Sequence, residues 1–527
     1  MTDAKEHDGA WAPLREPVFR GLWIAVLAGN LGTWMQTVGA QWLVVGEPAA
    51  ATWVSLVQAA TVLPVLLFAL PSGALADALD RRRLLLGVQM TMLVIGVVLA
   101  VLAGLDRIAP PVLLVFTFLL GVGQALTLPA WQAVIPEIVP HDRLPAASAL
   151  GAVNTNLARS AGPAVGGLLV AHFGSATVFA LNALSFGVFA VALLRWRREP
   201  QAVPRMPERF GAAVKAGGRY IRYHPQVRQI LTRVAVFVLP GSVVWSLLPL
   251  VARDRLAMGA RGYGVLLTAL GVGAIAGALA MPRARRLLRT NQMIAGTGLA
   301  YGAALLVTAA VRHVVPVVLA LVVAGLAWMM LVSRMNAAMQ LVLPNWVRAR
   351  ALAVYQLVFA GGQAAGALAW GQVAEHLGLV PAFTAAGLLV LAGAATVRLL
   401  PVHTHEDDDH TPAIYWPEPH LMLQPHLDRG PVLVTAAYRV PEENRSAFVA
   451  AMDGVRLSRQ RTGATQWGLF RDGADPAAFV EVYLVPTWEE HLRQHQGRLT
   501  GDDEKVETHA VALAEGPARI THLLHAD

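Results

Sequence analysis

Residues 51–104 read ATWVSLVQAATVLPVLLFALPSGALADALDRRRLLLGVQMTMLVIGVVLAVLAG. Two long apolar runs, at roughly 53–75 and 84–104, flank a short turn that ends in Arg81, Arg82 and Arg83. A bilayer span needs about 20 mostly apolar residues, and charge is tolerated only between spans. This stretch has that form, and the rest of the chain repeats it. Further apolar runs fall at roughly 19–45, 112–131, 145–171 and 175–194. After a polar stretch from about 195 to 226, six more follow at roughly 227–251, 262–281, 291–311, 314–333, 350–376 and 380–399.

Composition agrees with this reading. Of 527 residues 55% are hydrophobic and 14% charged, where a soluble protein carries about 25% charged residues, and the mean hydropathy is +0.51. The net charge of +8 does not form one patch, so nucleic acid is not the expected partner. The basic residues recur between apolar runs, as in the cytoplasmic loops of membrane proteins. With no cysteine, disulfides, thiolate metal sites and thiol catalysis are excluded. The first apolar run is too long for a signal-peptide core and is expected to be a retained span.

Arginines and lysines set the expected orientation. They crowd the turn at 81–83, the 195–226 linker, the segment after the eighth run (Arg283, Arg285, Arg286, Arg289) and the approach to the eleventh (Arg348, Arg350). Fewer lie on the other side, at Arg107, Arg253, Arg255, Arg261 and Arg312. The positive-inside rule then places both termini, the linker and the tail in the cytoplasm, and the protein in the cell membrane. The two sets of six runs also repeat. At an offset of 204 residues GALA at 73–76 meets GALA at 277–280, Gly121 meets Gly325, Gly162 meets Gly366, Gly167 meets Gly371, and Gly174 meets Gly378. Parallel repeats of this kind build one class of secondary transporter.

The segment Gly73-Ala-Leu-Ala-Asp77-Ala-Leu-Asp80-Arg81-Arg82-Arg83 resembles the loop signature of the major facilitator superfamily, at the place where that family keeps it. Asp80 stands where glycine is usual. GALAMPRARR at 277–286 resembles its degenerate second copy, and Gly162-Pro163-Ala-Val-Gly166-Gly167 the end of the antiporter motif. The opening PLREPVFRGLWIAVLAGNLGTWMQTVGAQWLV, the segment NLARSAGPAVGG and the fused tail resemble the transmembrane secretion effector branch, similar to the enterobactin exporters. The resemblance implies alternating access between two six-helix bundles and favours proton-driven export. It also implies a latch in which Asp77 pairs with Arg81 or Arg82, with Gly73 part of the turn. Gly162, Pro163, Gly166 and Gly167 are expected to allow close helix approach and a kink.

Arg159 is the most informative residue, because a charge near the centre of a span costs at least about 2.5–3.5 kcal/mol and so faces a cavity or a partner. Its repeat counterpart is Gln363, and Asn156 lies on the same helix face. Asn30, Trp34 and Gln41 fall on one stripe of the first run with Trp23, while Gln124 and Gln356 add polar groups on the fourth and eleventh. Asn30, Trp34, Gln41, Gln124, Asn156, Arg159, Gln356 and Gln363 are the expected substrate cavity, the alternative being polar contacts that hold helices together. No Asp or Glu lies near the centre of a run. A buried cation without a buried acid points to anionic or neutral polar cargo. Glu47, Glu375, His172 and His376 at helix ends are the remaining groups for proton exchange.

The tail changes character. Val432, Val434, Ala436, Tyr438 and Val440 alternate as in a half-buried strand. A helix then opens after Pro441, strands follow near 464–471 and 478–485, Thr487 with Glu490 caps a further helix, and a strand is expected near 517–524. That order is ferredoxin-like and resembles domains of the antibiotic-biosynthesis monooxygenase type, which commonly pair into dimers, so a homodimer through this domain is one expected partnership. The motif HTHEDDDH at 403–410 is read as solvated linker rather than a metal site.

The expected fold is therefore an all-α polytopic membrane protein of twelve transmembrane helices in two six-helix bundles, with a C-terminal α+β ferredoxin-like soluble domain. Its boundaries are a first bundle at 1–194, a basic linker at 195–226, a second bundle at 227–400, a linker at 401–430 and the soluble domain at 431–527. The expected partners are a small-molecule substrate and membrane lipid, with no cofactor, metal or catalytic residue. Export and uptake both fit this topology. A membrane-anchored sensor or enzyme acting through the tail is the other reading.

Overall fold

A computed structural model describes residues 11–196, 210–399, 401–402, 413, 426–427 and 429–525. Two compact units emerge, one comprising residues 1–202, 233–335 and 356–401, the other 203–232, 336–355 and 402–527. The expected linker at 403–410 lies outside the described residues.

The first half contains α1 (Pro17–Leu43), α2 (Ala50–Ala78), α3 (Arg81–Gly104), α4 (Pro110–Ile138), α5 (Leu144–Phe173) and α6 (Ser175–Arg195). Prolines open α1, α4 and α5, where the missing N–H costs nothing. Asp80, the departure from the loop signature, caps α3 by accepting from the Arg83 N–H at 2.8 Å. Helix α1 packs on α5 and α6, α2 on α4, and α3 on α6.

Between the halves lies α7 (Phe210–Tyr223), a helix inside the stretch read only as polar linker. The second half contains α8 (Pro225–Gly241), α9 (Val243–Leu250), α10 (Ala260–Leu287), α11 (Thr290–Ala310), α12 (Val314–Val342), α13 (Asn345–Leu377) and α14 (Leu379–Ala395). The seventh expected span is thus divided at Ser242 into α8 and α9, with Pro240 and Pro249 each lacking a backbone donor. The repeat is visible in the backbone. Gly174 (φ +79°) and Gly378 (φ +95°), 204 residues apart, each make the left-handed turn between consecutive helices, a conformation that costs glycine little.

Among the described residues, ten segments are long and apolar enough to cross a membrane. Helices α1 and α5, at 27 and 30 residues, are as long but outside that set. They carry Asn30, Gln36 and Gln41, and Asn154, Asn156 and Arg159, respectively. These two polar-bearing helices are neighbours in the first bundle.

The second unit contains the tail: β1 (Val432–Arg439), α15 (Arg445–Thr462), β2 (Gln466–Arg471), β3 (Ala478–Val485), α16 (Trp488–Arg493), α17 (Gly501–Ala512) and β4 (Arg519–Leu524). The strands form one antiparallel sheet in the order β2-β3-β1-β4. Alternation along β1 buries Ala436 and Tyr438 against Phe448, Met452 and Val455 of α15, and Val432 and Val434 against Tyr483, Val485 and Trp488. The core also holds charge. Arg459, fully buried, meets Glu481 at 3.3 Å and Glu507 at 2.7 Å, and Trp467 Nε1 donates to Glu481 at 2.8 Å. Such a cluster persists only because its members satisfy one another. Helix α15 packs on α7, and Arg219 of α7 pairs with Glu490 at 3.1 Å, which also receives two bonds from Arg498 at 2.8 and 2.9 Å.

The rings of His491, His495 and His522 cluster, with centroids 4.6 and 4.8 Å from His491. Burial pushes His491 down to about 3. Below the ordinary value of about 6.5 the unfolded chain therefore takes a proton that the folded domain refuses. The tail is expected to lose about 1.4 kcal/mol per pH unit from this residue as pH falls from about 6.5 toward 3. Thermal melts of the full chain followed by near-ultraviolet dichroism test this, and His491→Phe should flatten the slope.

Candidate functional site

Helices α1 and α5 lie side by side because the α5 glycines admit them. A Cβ at Gly162 would come 2.6 Å from the Trp34 Cβ, and one at Gly166 would come 2.9 Å from the Met35 Cα. Gly167 faces the other half, where a Cβ would come 2.7 Å from the Gly264 Cα of α10 and 2.9 Å from the Ala260 carbonyl. The second half repeats the plan. Gly366 presses on Leu239 and Ser242 at the junction of α8 and α9, and Gly371 on Ser55 and Ala51 of α2. In each half glycine holds the fifth helix of the repeat to its first, at Gly162 and Gly166 or at Gly366, and a further glycine, Gly167 or Gly371, lets it touch the opposite half.

This packing fixes the polar groups. Arg159 is half-buried, with its guanidinium carbon 6.0 Å from the Trp34 ring centroid and its Nε enclosed without a hydrogen-bond partner. Trp34 lies 6.1 Å from Trp245 of the second half, which lies 5.9 Å from Trp328. The Trp245 Nε1 is likewise enclosed and unpartnered. A cation and an aromatic wall drawn from both halves thus meet at one place. Cation–π attraction of about 0.5–2 kcal/mol positions the guanidinium without neutralising it, so it keeps its capacity for an anion.

The other expected cavity residues separate into groups. Asn30 Nδ2 donates to Asn154 Oδ1 at 2.8 Å, and Asn154 Nδ2 to the Trp23 carbonyl at 3.0 Å. Gln124 Nε2 donates to Thr33 at 3.2 Å. Asn156 Nδ2 bonds its own helix at the Ala152 carbonyl, 2.9 Å away. On α13, Gln356 is exposed and Gln363 half-buried. Gln41 is buried elsewhere, at the end of α1, where Nε2 donates to Gln58 at 3.0 Å and to the Trp245 carbonyl at 3.1 Å while its Oε1 accepts from the Tyr263 hydroxyl. It ties the two halves together. Near the same end, Arg253 donates to the Val45 carbonyl, and Glu375 accepts from the Thr52 N–H at 3.4 Å.

At the opposite end stand the arginines of the loop signature. Arg81 pairs with Glu137 of α4 at 2.7 Å and also reaches the Ala133 carbonyl at 3.0 Å. Arg82 bonds the Leu193 and Leu194 carbonyls at 2.9 Å each, and so caps the C-terminus of α6, where a cation is favoured. The side chain of Asp77, the expected partner, lies outside the described residues, and Gly73 falls within α2 rather than in the turn. Glu137 shows no periodic signal in the sequence, and only the packing of α3 beside α4 reveals it. Glu137→Gln is expected to lower transport about tenfold, and the exchange Arg81→Glu with Glu137→Arg to restore most of it. Initial rates of efflux from loaded cells check both.

No group of three or more His, Asp or Glu among the described residues has metal-holding geometry.

Comparison with known proteins places this arrangement. Residues 8–527 match the family described as transmembrane secretion effector, so the match includes the tail. The chain is 24% identical over 277 residues to the staphyloferrin A transporter of Staphylococcus aureus, covering 52% of this chain and 70% of that protein. It is 27% identical over 399 residues to the multidrug efflux pump Tap of Mycolicibacterium fortuitum, covering 73% and 96%. Among solved structures, the nucleoside transporter NupG superposes with a TM-score of 0.60 at 12% identity, covering 73% of this chain and all of that one. A bacterial homologue of the human lysosomal transporter Spinster, inward-facing and occupied, gives 0.60 at 15% identity over 74% and 97%. The inter-half glycines, the arginine turn after α2 and a match along nearly the whole chain lead to one conclusion: this is a multi-pass membrane transporter, not an enzyme, and it belongs to the transmembrane secretion effector family of the major facilitator superfamily.

Proposed function

We propose that the protein exports a small anionic organic molecule, siderophore- or drug-like, across the cell membrane by alternating access. The observation that carries this reading is Arg159, held over Trp34 at the meeting of the two halves with an enclosed, unpartnered Nε. Neither a lipid-facing helix nor a packing contact needs a cation there, whereas a carboxylate or hydroxamate cargo does. The relatives that transport staphyloferrin A or export drugs support the same class. Counting α1 and α5 as spans, despite their polar groups, takes the ten apolar segments to twelve. The sheet order β2-β3-β1-β4 supports a ferredoxin-like tail. Its outer face, with Phe470 60% and Leu523 50% exposed, is the surface through which two copies would pair. Both termini then lie in the cytoplasm, and a proton gradient drives the cycle. Glu375, bonded across the halves to Thr52, is the carboxylate best placed to couple a proton to opening.

The test is retention of labelled siderophores and fluorescent anionic drugs in cells expressing the intact chain or a chain lacking residues 412–527. Lower retention in both supports export by the helices. Loss of the effect in the shortened chain alone assigns the function to the tail. Raised retention in the intact chain would establish uptake instead.

A further inference from the structure

The first bundle carries two apolar grooves, each between one pair of helices. One, of about 720 Å³, is lined by α1, α6 and Trp196 just beyond α6. The other, of about 570 Å³, is lined by α3, α4 and the turn before α3. Glycine opens the first of them. Farther along the same helices α1 and α6 approach closely. A Cβ at Gly32 would come 3.1 Å from the Asn182 Cα, and one at Gly39 would come 3.3 Å from the Phe179 ring. Gly21, nearer the start of α1, lines the groove, and a Cβ there would meet nothing within 4 Å. Gly187 of α6, also in the lining, would meet only the Leu93 side chain of α3, at 3.8 and 3.9 Å. Glycine weakens a helix interior, and at these two positions no close approach of α1 to α6 compensates. They leave room instead. Val18, Leu184, Val188 and Val191 line that room and are exposed, as on a surface that meets acyl chains.

One end of this groove is cationic. Arg195 and Trp196 line it, together with Pro17 at the start of α1, and Arg195 is exposed. Among the described residues none of the lining side chains is acidic. Glu16, next in sequence to Pro17, is taken by Arg143 at 3.1 Å. Nor is Arg195 needed to cap α6, because Arg82 already donates to the Leu193 and Leu194 carbonyls at 2.9 Å each. The α3–α4 groove differs. Its cation, Arg83, shares the lining with Asp80, so that groove carries no excess charge. Length also fits a lipid. From Leu184 to Arg195 the helix rises about 16 Å, close to one leaflet of a hydrocarbon core about 30 Å thick.

We infer that the α1–α6 groove binds one anionic phospholipid, its acyl chain lying over Gly21 and Gly187 and its phosphate on the Arg195 guanidinium. A guanidinium meets phosphate through two parallel N–H donors. Tryptophan is enriched at the headgroup level of a bilayer, where Trp196 would then stand. Basic pockets between transmembrane helices are where anionic headgroups bind. The lipid is a resident partner and not cargo. All the lining residues belong to the first half, and Arg159 and Trp34 are not among them. The inference therefore holds whichever molecule the protein moves.

The measurement is native mass spectrometry of the full chain with equal amounts of palmitoyl-oleoyl phosphatidylglycerol and the matching phosphatidylcholine. The two share their acyl chains, and only the first has net charge. The first lipid retained is expected to be phosphatidylglycerol by at least about tenfold, the factor of one charge-assisted contact. Arg195→Gln should cut that preference below about twofold. Arg83→Gln, in the groove whose charge is balanced, should leave it unchanged. Gly21→Leu places a side chain where nothing stands within 4 Å, so it should fill the groove without moving a helix. It is expected to lower retention of phosphatidylglycerol by about tenfold, the whole of the selective contact, and it serves where Arg195→Gln does not fold. Equal retention of both lipids by wild type, an unchanged preference in Arg195→Gln, or full retention in Gly21→Leu overturns the site. Loss of the preference in Arg83→Gln moves it to the other groove, and displacement of the lipid by inorganic phosphate assigns Arg195 to a free anion. Either result overturns the inference.

Discussion

Arg159→Ala is expected to abolish efflux of anionic cargo, with a loss of at least about 100-fold in initial rate, while neutral cargo loses less than about threefold. A charge-assisted hydrogen bond is worth about 1.5–3 kcal/mol, and in a low-dielectric cavity the Coulomb contribution is larger than in water. Two such bonds from one guanidinium reach the stated factor. Because no carboxylate among the described residues pairs with Arg159, its removal leaves no opposite charge stranded, and the helices should assemble normally. Arg159→Lys separates charge from shape. A lysine keeps the charge but loses the planar fork that suits a carboxylate, so it should restore roughly a tenth of the rate. Equal loss for anionic and neutral cargo would show that Arg159 serves structure, and would remove the main support for an anionic substrate.

Gly167→Val should strongly damage the contact between the two halves. Its Cβ would lie 2.7 Å from the Gly264 Cα and 2.9 Å from the Ala260 carbonyl. Both obstacles are backbone, so no side-chain rotation relieves them, and α5 must move away from α10. Overpacking of this kind costs about 1–3 kcal/mol or more, and here it falls where one half must move against the other. Transport is expected to fall below a tenth of wild type, with a lower melting temperature in detergent. Gly264→Ala meets the Pro163 carbonyl at 2.9 Å from the other side and should act in the same direction. Gly296→Ala on α11, where nothing lies within 4 Å, should be silent. Full activity in Gly167→Val would show that this contact does not restrain the cycle.

The signals that could be read in advance were local or periodic. Long apolar runs, the arginine turn after the second run and the alternation along β1 each depend on a few neighbouring residues. The 204-residue offset predicted pairs that fold alike, and Gly174 with Gly378, and Gly167 with Gly371, do so. The break in the seventh run is not legible in the sequence, because two prolines in an apolar stretch do not say how far the break extends. Helix α7 is not legible either, because its residues fall in a basic stretch with no apolar run.

What sequence alone determined was the class of the molecule: apolar runs divided by basic turns, a duplicated plan and an α+β tail. What only the tertiary structure decided was partnership. Glu137 meets Arg81 across 56 residues of sequence, Trp245 and Trp328 extend the wall that Trp34 begins, and Gln41 ties the halves rather than joining Arg159. The physical reason is the solvent. In water a helix marks its buried face with apolar residues, but lipid is as apolar as a protein core. A membrane helix therefore carries little periodic sign of which face meets its neighbours, and the pairing of its few polar groups is settled only when the helices pack.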